Sequence, residues 1–369
     1  MIIKSLELKN FRNYEQLKID FHNGVNIIYG DNAQGKTNIL ESIYLAATTK
    51  SHRSNKDKEI IKLNENEAHI RMMVEKSKID HRIDMHLKKE KSKGIAIDGI
   101  PIKKSSELLG FLKIVFFSPE DLSIIKNGPS ERRRFIDMEL CQLDRLYLYN
   151  LSKYNKILVQ RNNLLKQIAF QRDLLDTLSI WDSQLIEAGC QIIKRRKEFI
   201  KQLNSIILEI HRKLTGGKEE LLICYEPNVE TEDFQEKLIK NLDRDIQSRL
   251  TSIGPHRDDI MFIVKNIDLR KYGSQGQQRT AALSLKLAEI DLVKHVSNHY
   301  PILLLDDVLS ELDRNRQNYL LDSIYNIQTF VTCTGLEEFV NKRGILDRVF
   351  KVVNGTVTRQ VIDEKGNQR

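Results

Sequence analysis

The 369-residue sequence contains no long apolar run. None of its hydrophobic stretches approaches the roughly 18 residues that a membrane-spanning helix needs, and residues 1–9 alternate apolar and charged side chains, unlike a signal peptide. These absences predict a cytoplasmic protein with no membrane partner. With 40% hydrophobic and 30% charged residues, the composition is typical of a soluble globular protein, and the length favours about two domains.

Cysteine is also scarce. The four cysteines are far apart, with no C-x-x-C spacing and no neighbouring histidine cluster: Cys141, Cys190, Cys224 and Cys333. Because metal sites and disulfide frameworks normally show such spacings, we expect ordinary reduced thiols and no zinc site.

Proline is absent from residues 130–214. Within this stretch, apolar residues between Ile192 and Ile210 recur at three- and four-residue spacing, while the basic run at 194–197 falls mostly on other faces. The pattern predicts two or three helices of an antiparallel bundle, too short for a long coiled-coil arm. The basic run could be a solvated face or a nucleic-acid contact.

Residues 30–37, Gly-Asp-Asn-Ala-Gln-Gly-Lys-Thr, lie between a strand pattern at 25–29 and a helical pattern that begins near Ile39. This is the sequence of a P-loop, in which backbone N–H groups point at a phosphate at a helix N-terminus. Lys36 would contact the β- and γ-phosphates of ATP, and the Thr37 hydroxyl would bind Mg²⁺. The motif predicts these nucleotide-binding residues: Gly30, Asp31, Asn32, Ala33, Gln34, Gly35, Lys36, Thr37 and Asn38.

A buried strand pattern much later in the chain ends in two carboxylates. Residues 301–305 are Pro-Ile-Leu-Leu-Leu and are followed by Asp306 and Asp307, the pattern of a Walker B strand. We expect Asp306 to bind Mg²⁺ together with Thr37, and Asp307 to orient or deprotonate the attacking water. Lys36, Asp306 and Asp307 are therefore the predicted catalytic residues.

Residues 272–280 contain two glycines and three glutamines and precede an apolar helical pattern. A serine with flexible glycines at a helix N-terminus is a second anion-binding device, although the same residues could form only a helix N-cap. Because one P-loop already satisfies one triphosphate, a second such device suggests contact with the nucleotide of another copy of the chain. The residues concerned are Ser274, Gln275, Gly276 and Gln277.

The remaining patterns predict mostly strands. Apolar alternation predicts two or three strands in 2–29, an antiparallel layer in 67–103 with a turn at Asp98-Gly99, and a buried strand at 113–117. Residues 221–225 also have a strand pattern.

Two further segments precede the glutamine-rich stretch. Residues 231–250 predict one polar amphipathic helix, and 254–259, Gly-Pro-His-Arg-Asp-Asp, lead into a strand at 260–264. No second half of a nucleophilic or metal site accompanies the His-Arg-Asp-Asp cluster. A structural or nucleotide-proximal salt-bridge role is therefore favoured.

The order of these motifs resembles that of the ABC-type ATPase heads of chromosome-maintenance and break-repair proteins, and among them the RecF family of bacterial recombination-mediator ATPases. The resemblance implies an α/β fold: an ABC-type head with a mixed sheet that carries the P-loop and an antiparallel β layer, plus an inserted α-helical arm domain. The implied boundaries are 1–128 for the N-terminal lobe of the head, 129–217 for the arm and 218–369 for the C-terminal part. The matching motifs cover essentially the whole chain: 11–13, 30–37, 51–53, 117–122, 132–135, 254–259, 274–280 and 303–313.

The resemblance also implies roles for individual residues. Arg12 would contact the nucleotide, Ser274 to Gln277 would form the signature motif that contacts ATP across a head-to-head dimer, and 310–313 would be the D-loop. Asp307 stands where most ABC-type ATPases have glutamate, and Thr332 and Thr334 occupy the switch region in place of a histidine. Both departures are typical of RecF-like sequences, and the shorter carboxylate is compatible with slow hydrolysis.

The implied function is an ATP-dependent DNA-binding switch in recombinational repair, replication-fork maintenance and the SOS response to DNA damage. ATP would join two subunits, duplex DNA or gapped junctions would bind, and slow DNA-stimulated hydrolysis would release them. The family further implies cooperation with RecR and RecO and loading of RecA at single-strand gaps, in the cytoplasm near the nucleoid. The net charge of +8 independently favours a polyanionic partner.

Two alternatives remain open. An ABC transporter subunit shares the P-loop and the Walker B strand, but normally has a Leu-Ser-Gly-Gly-Gln signature and a much shorter insertion. A DNA scaffold with a purely structural nucleotide would have the same motifs without turnover.

Overall fold

The structure, a computed structural model, describes residues 1–54, 56–336 and 348–360. Parts of the predicted C-terminal head segment, 337–347 and 361–369, lie outside the described residues. The chain divides into two units, one formed by Met1–Asp121 with Glu289–Arg369 and the other by Leu122–Ala288. The predicted helical arm, 129–217, falls within the second unit.

The strands of the described residues are, in chain order, β1 Ile2–Phe11, β2 Tyr14–Asp20, β3 Val25–Tyr29, β4 Glu67–Lys76, β5 Ile79–Lys88, β6 Gly94–Ile97, β7 Ile100–Pro101, β8 Ile114–Phe117, β9 Leu221–Glu226, β10 Asp259–Val264, β11 Ile267–Asp268, β12 Ile302–Asp306, β13 Thr329–Cys333, β14 Arg348–Val353 and β15 Thr356–Gln360.

The α-helices are α1 Lys36–Thr48, α2 Leu122–Lys126, α3 Pro129–Leu143, α4 Arg145–Ile168, α5 Leu178–Leu214, α6 Phe234–Lys240, α7 Leu242–Ser248, α8 Leu269–Tyr272, α9 Gln275–Ser297 and α10 Arg314–Ser323. None of the helices in the described part of the chain combines the length and hydropathy that crossing a bilayer requires. None of the four cysteines, all of which are described, forms a disulfide.

The first unit contains two six-stranded sheets. One has the order β15-β14-β3-β13-β12-β8, parallel throughout except for the edge strand β15. The other, β2-β1-β4-β5-β6-β7, is antiparallel. The sequence patterns predicted strands in both sheets, because parallel central strands are apolar on both faces and antiparallel ones alternate. They did not predict β14 and β15.

Helix α1 contributes to a common apolar core with both sheets of the first unit. Its residues Ile39, Leu40 and Ile43 are fully buried there. At about 25 cal/mol per Å² of apolar surface, each such side chain stabilises the fold by roughly 1.5–3 kcal/mol. This packing fixes the first turn of α1, and with it the loop that precedes the helix.

In the second unit, α4 and α5 pack against each other in antiparallel fashion. Three ion pairs show the direction, because the residue numbers fall along α5 as they rise along α4. The pairs are Asp144 with Arg195, Lys153 with Glu187 and Arg161 with Asp182. The predicted antiparallel helices are thus confirmed. A three-stranded antiparallel sheet, β11-β10-β9, completes this unit with the shorter helices.

The basic run at 194–197 differs in part from the expectation of a solvated or DNA-binding face. Arg196 is only 2% exposed and donates hydrogen bonds to Asp137 and Asp258. Its neighbours also have acidic partners within the unit, Asp144 for Arg195 and Glu230 for Lys197. Arg196 therefore serves internal ion pairs, which the periodicity alone does not reveal, whereas Lys194 and Lys197 are exposed.

The prediction of one helix over 231–250 was wrong. The segment forms α6 and α7, which are separated at Asn241. The Asn241 side chain donates to the Lys237 carbonyl, and its backbone leaves helical geometry at φ −95° and ψ 8°. An asparagine that bonds a carbonyl of the preceding turn competes with the continuing helix.

The His-Arg-Asp-Asp cluster has the structural role that the sequence favoured. Asp258 accepts hydrogen bonds from Arg196 and from the backbone N–H of Asn228, and Asp259 is paired with Arg132. The His256 ring is hydrogen-bonded to the Tyr154 hydroxyl, and burial lowers the pKa of His256 to about 4. These side chains hold β10 to the helices of the second unit.

Candidate nucleotide site

The P-loop begins where β3 ends and continues directly into α1. Because β3, β13 and β12 are parallel neighbours, their carboxyl ends meet at one edge of the sheet. This is the edge at which open α/β sheets bind ligands. The sheet topology therefore brings together the P-loop, the Walker B residues and the strand end at Thr332.

Two glycines give the loop its shape. Gly35, which precedes α1, has φ 111°, and a Cβ there would lie 2.4 Å from Asn13 Nδ2. Gly30 has φ 152°, and a Cβ there would lie 2.3 Å from the carbonyl oxygen of Val352. Only glycine fits at either position without moving its neighbours.

The turns that follow β1 and β14, together with the first residue of β2, support the loop from outside. Asn13 Nδ2 donates to the Gln34 carbonyl at 3.0 Å, and the Tyr14 hydroxyl donates to the Gly35 carbonyl at 3.0 Å. The backbone N–H of Asn354 donates to Gln34 Oε1 at 2.5 Å. The loop is therefore held in one conformation by parts of the chain that are distant in sequence.

Lys36 lies along the loop and is 7% exposed. Its Nζ donates to the carbonyl oxygens of Gly30 at 2.6 Å and Asp31 at 2.8 Å. A lysine ammonium that is held by loop carbonyls keeps a third donor for another acceptor. This arrangement is suited to a phosphate oxygen in the loop.

The Thr37 hydroxyl donates to Asp306 Oδ1 at 2.9 Å. This contact joins the first residues of α1 to the end of β12, which are 269 residues apart in the sequence. A hydroxyl and a carboxylate that lie next to each other offer two hard oxygen donors, the kind of ligand that Mg²⁺ prefers. The residues present therefore fit the magnesium site that the sequence predicted.

Asp306 is 9% exposed. Burial raises the pKa of its carboxyl group, and the hydrogen bonds from Thr332 and Thr37 only partly offset that effect. Of the neighbouring charges, Asp307 raises this pKa and Arg53 lowers it, and the net effect disfavours the ionised carboxyl group. A bound cation would favour ionised Asp306.

Asp307 has φ 53°, in the left-handed region that few residues adopt. Its backbone N–H is held by the carbonyl and the hydroxyl oxygen of Thr332, at 3.3 and 3.0 Å. The Ser310 hydroxyl donates to the Asp307 carbonyl at 2.9 Å. An uncommon backbone conformation fixed by several bonds is frequent at functional sites.

Arg12 also has a positive φ, 53°, and forms a bidentate pair with Glu41 at 2.9 and 2.6 Å. The Glu41 side chain is fully buried and also accepts from the Ser51 hydroxyl. Burial alone would raise the pKa of Glu41, but the hydrogen bonds from Arg12 and Ser51 outweigh it, so the pKa is lowered. Glu41 thus fixes the Arg12 guanidinium at the edge of the site.

A cavity of about 660 Å³ lies among these residues, within the range of small-molecule sites. Among the predicted residues, those that line it are Arg12, Asn32, Ala33, Gly35, Lys36, Thr37, Asn38, Asp306 and Asp307. Gly30, Asp31 and Gln34 belong to the same loop without lining the cavity.

Four more residues line the cavity that the sequence did not assign to the site: Arg53, Ser54, Glu59 and Thr332. The sequence identified Arg53 only within the family-like motif at 51–53, and Thr332 only as part of the switch region. Glu41 was also missed, although a carboxylate between Leu40 and Ile43 on a buried helix face was a signal for it.

Ser274, Gln275, Gly276 and Gln277 lie in the second unit at the N-terminus of α9. The Ser274 Oγ accepts from the Gln277 backbone N–H, and the Gln277 side chain accepts from the Ser274 backbone N–H. This reciprocal pair is a capping box. The hydrogen bonds between these residues are therefore those of a helix N-cap, the alternative that the sequence left open. Ser274, Gln275 and Gly276 are exposed, and N–H groups at a helix start can still bind an anion.

A P-loop and a Walker B strand on one parallel sheet, a second antiparallel sheet and a unit with long antiparallel helices define an ABC-type ATPase head with an inserted helical arm. The family model described as RecF/RecN/SMC N terminal domain matches residues 2–358. A crystal structure of the Smc head domain derived from Pyrococcus furiosus covers 97% of this chain and 95% of its own, with a TM-score of 0.56 at 17% identity. That similarity shows the fold.

More similar proteins carry the name RecF. The DNA replication and repair protein RecF of Lachnoclostridium phytofermentans is 66% identical over 359 residues, which cover 97% of this chain and 100% of that protein. The one from Clostridium botulinum is 47% identical, covering 97% and 99%. A structure of the recombination mediator protein RecF-ATP in the RecFOR pathway has a TM-score of 0.91 at 36% identity and covers 98% of each chain. The chain belongs to the RecF family of DNA replication and repair proteins.

Proposed function

We propose that this protein binds ATP and Mg²⁺ at the first unit and uses them as a switch for binding DNA. The observation that carries the proposal is the bond between Thr37 and Asp306, which joins the P-loop to the Walker B strand. A RecF structure of 36% identity is described as RecF-ATP. The ATP site consists of Gly30 to Asn38 with Arg12.

In this proposal each protein group has one task. Backbone N–H groups of the loop and Lys36 bind the phosphates, and Thr37 and Asp306 hold Mg²⁺. The bound cation would neutralise phosphate charge as the terminal phosphoryl group is transferred. Asp307, fixed by Thr332, orients the attacking water or accepts its proton. An aspartate reaches less far than a glutamate, which supports slow hydrolysis.

The signature residues Ser274 to Gln277 complete the site of a second subunit. The exposed start of α9 supports this role, because a helix N-terminus attracts a phosphate. ATP would then hold two copies of the chain head to head, and hydrolysis would separate them. Lys36 acts on the nucleotide of its own subunit, and Ser274 on that of the other.

The partner that we propose is double-stranded DNA, including gapped junctions. The excess of 59 lysine and arginine residues over 51 acidic ones supports a polyanionic partner. DNA binding should weaken steeply with salt, because phosphate contacts release counterions. The name of the RecFOR pathway supports RecR and RecO as protein partners, with RecA loading at single-strand gaps and a location near the nucleoid as the cellular role.

Single-turnover hydrolysis in the presence of duplex DNA tests whether ATP is a substrate. We expect slow phosphate release from the wild type, and at least a tenfold loss in Asp307→Asn, as for removal of a general base. Asp322→Asn, at an acidic residue of α10 that does not line the cavity, is the matched control and should keep the wild-type rate. No phosphate release from the wild type, or equal rates in wild type and Asp307→Asn, would support a scaffold with structural nucleotide.

A further inference from the structure

The antiparallel sheet of the first unit has a polar face that the nucleotide site does not use. A concave space of about 840 Å³ lies against this face and is lined by residues of β1, β2, β4, β5 and β6. Two histidines, His69 and His86, lie beside each other in its lining. A carboxylate from the same sheet, Glu67, contacts both rings.

The strand register brings these three residues together. His69 on β4 is paired directly with His86 on β5. Glu67 is two residues before His69, so its side chain is on the same face of the sheet. β4 and β5 are paired over ten residues and lie inside a six-stranded sheet. The backbone therefore holds the three side chains at fixed positions.

The side-chain atoms already converge. The two imidazole rings are stacked, with centroids 4.1 Å apart and an angle of 21° between planes. Glu67 Oε2 is 2.8 Å from His86 Nε2, and Glu67 Oε1 is 3.5 Å from His69 Nε2. One ligand atom from each residue lies within 4.8 Å of the others. Ligands at about 2.0–2.2 Å from a tetrahedral zinc ion are roughly 3.3 Å apart.

We propose that Glu67, His69 and His86 form a site for one zinc ion, with water in the remaining coordination positions. Two imidazoles and a carboxylate are a donor set that zinc accepts readily. Gly94 is paired with His86 on the other side of β5, so no side chain there blocks the approach of the ion. The sequence expectation of no zinc site was based on cysteine spacing, and this site contains no cysteine.

The three groups bind a metal ion only in particular charge states. Neutral imidazole and ionised carboxylate are the forms that bind metal. Bound zinc would join β4 to β5 and stabilise the sheet.

Calorimetric titration of the full-length, chelator-treated protein with Zn²⁺ tests the proposal. Saturating Mg²⁺ is present so that the Thr37 and Asp306 site is occupied. We expect one zinc ion per chain at this site, and at least a tenfold loss of affinity in His69→Gln and in His86→Gln, because even outer-shell changes cost 10- to 100-fold. The matched control is His81→Gln, which removes a β5 histidine that pairs with the Asp98 carboxylate.

Thermal unfolding supplies a second measurement. Zn²⁺ should raise the Tm of the wild type and of His81→Gln but not that of His86→Gln, while all three unfold at similar temperatures without metal. ATP binding should be the same in all three. Equal zinc affinity in His69→Gln, His86→Gln and the wild type would overturn the proposal, and so would an equal zinc-dependent rise of Tm. The three residues would then form only an ion-pair cluster.

Discussion

The Thr332 hydroxyl donates a hydrogen bond to Asp306 Oδ1 at 2.6 Å, in the interior of the first unit. The same hydroxyl oxygen accepts from the Asp307 backbone N–H at 3.0 Å. Thr332 therefore fixes both carboxylate-bearing residues of the Walker B strand from the neighbouring strand β13. The resemblance to ABC-type ATPase heads predicts that this position belongs to the switch region.

Thr332→Val should slow ATP hydrolysis more than it weakens ATP binding. The valine removes one hydrogen bond from Asp306 and one from the Asp307 N–H, which keep the Thr37 hydroxyl and the carbonyl of residue 332 as partners. Each lost bond costs about 0.5–1.5 kcal/mol. Urea unfolding and single-turnover hydrolysis measure the two effects. Thr334→Val is the matched control, because Thr334 is exposed just beyond the same strand. Equal losses in both variants would exclude a specific role for Thr332.

Glu41→Gln should destabilise the protein by about 2–3 kcal/mol. Breaking one partner of a buried ion pair costs about 3–5 kcal/mol, and the Arg12 side chain keeps 22% of its surface exposed, which reduces the loss. The contact of Arg12 with Glu59 is to the backbone carbonyl and not to the carboxylate. Glu59→Gln is therefore the control and should keep near wild-type stability. A double-mutant cycle with Arg12→Gln would show no coupling if the pair were unimportant.

The same pair predicts a pH dependence. The pKa of Glu41 is lowered in the folded protein from 4.5. Its contribution to stability is therefore present above about pH 4.5 and is lost as the pH falls through the folded pKa. The difference in unfolding free energy between wild type and Glu41→Gln should shrink with acidification below pH 4.5. A constant or growing difference would contradict this assignment.

Asp306→Asn should raise the stability of the nucleotide-free protein while it abolishes hydrolysis. Because burial raises the pKa of Asp306 above 3.8, ionisation at neutral pH costs folding free energy, and the wild type loses stability as the pH rises from 3.8 through the folded pKa. Asparagine carries no charge and keeps the Oδ1 acceptor for Thr37 and Thr332. A lower Tm of the variant without nucleotide would show that the ionised carboxylate stabilises the site.

Gly35→Ala should prevent nucleotide binding. Its φ of 111° costs a side chain about 1–3 kcal/mol, and the new Cβ would meet Asn13 at 2.4 Å. Gly128→Ala is the matched control, since no atom lies within 4 Å of a Cβ there. Fluorescence titration with an ATP analogue measures both variants. Normal affinity in Gly35→Ala would show that the loop adapts.

The sequence predicted those parts of the site that are continuous in the chain. Gly30 to Thr37 and the strand that ends at Asp306 each have a local signature, because loop shape and strand burial depend mainly on neighbouring residues. The break between α6 and α7 at Asn241 was not predicted, because the periodic pattern continues through it and one side-chain hydrogen bond ends the first helix.

Contacts between distant segments were less predictable. The bond of Thr332 to Asp306 depends on the parallel register of β12 and β13, and the pairing of Arg12 with Glu41 depends on how α1 packs. The meeting of His69 with His86 depends in the same way on antiparallel register. A one-residue shift would move such side chains to the opposite face, so their partners follow only from the folded sheet.

The central claim is that ATP held by the P-loop of one subunit is closed over by the signature residues of another. Sedimentation velocity, with and without ATP, Mg²⁺ and duplex DNA, tests it in wild type, Lys36→Ala and Ser274→Arg. We expect an ATP-dependent dimer only in the wild type, with ATP binding to the Ser274→Arg monomer retained and lost in Lys36→Ala. A wild type that stays monomeric with ATP, or a Ser274→Arg variant that dimerises normally, would contradict the account.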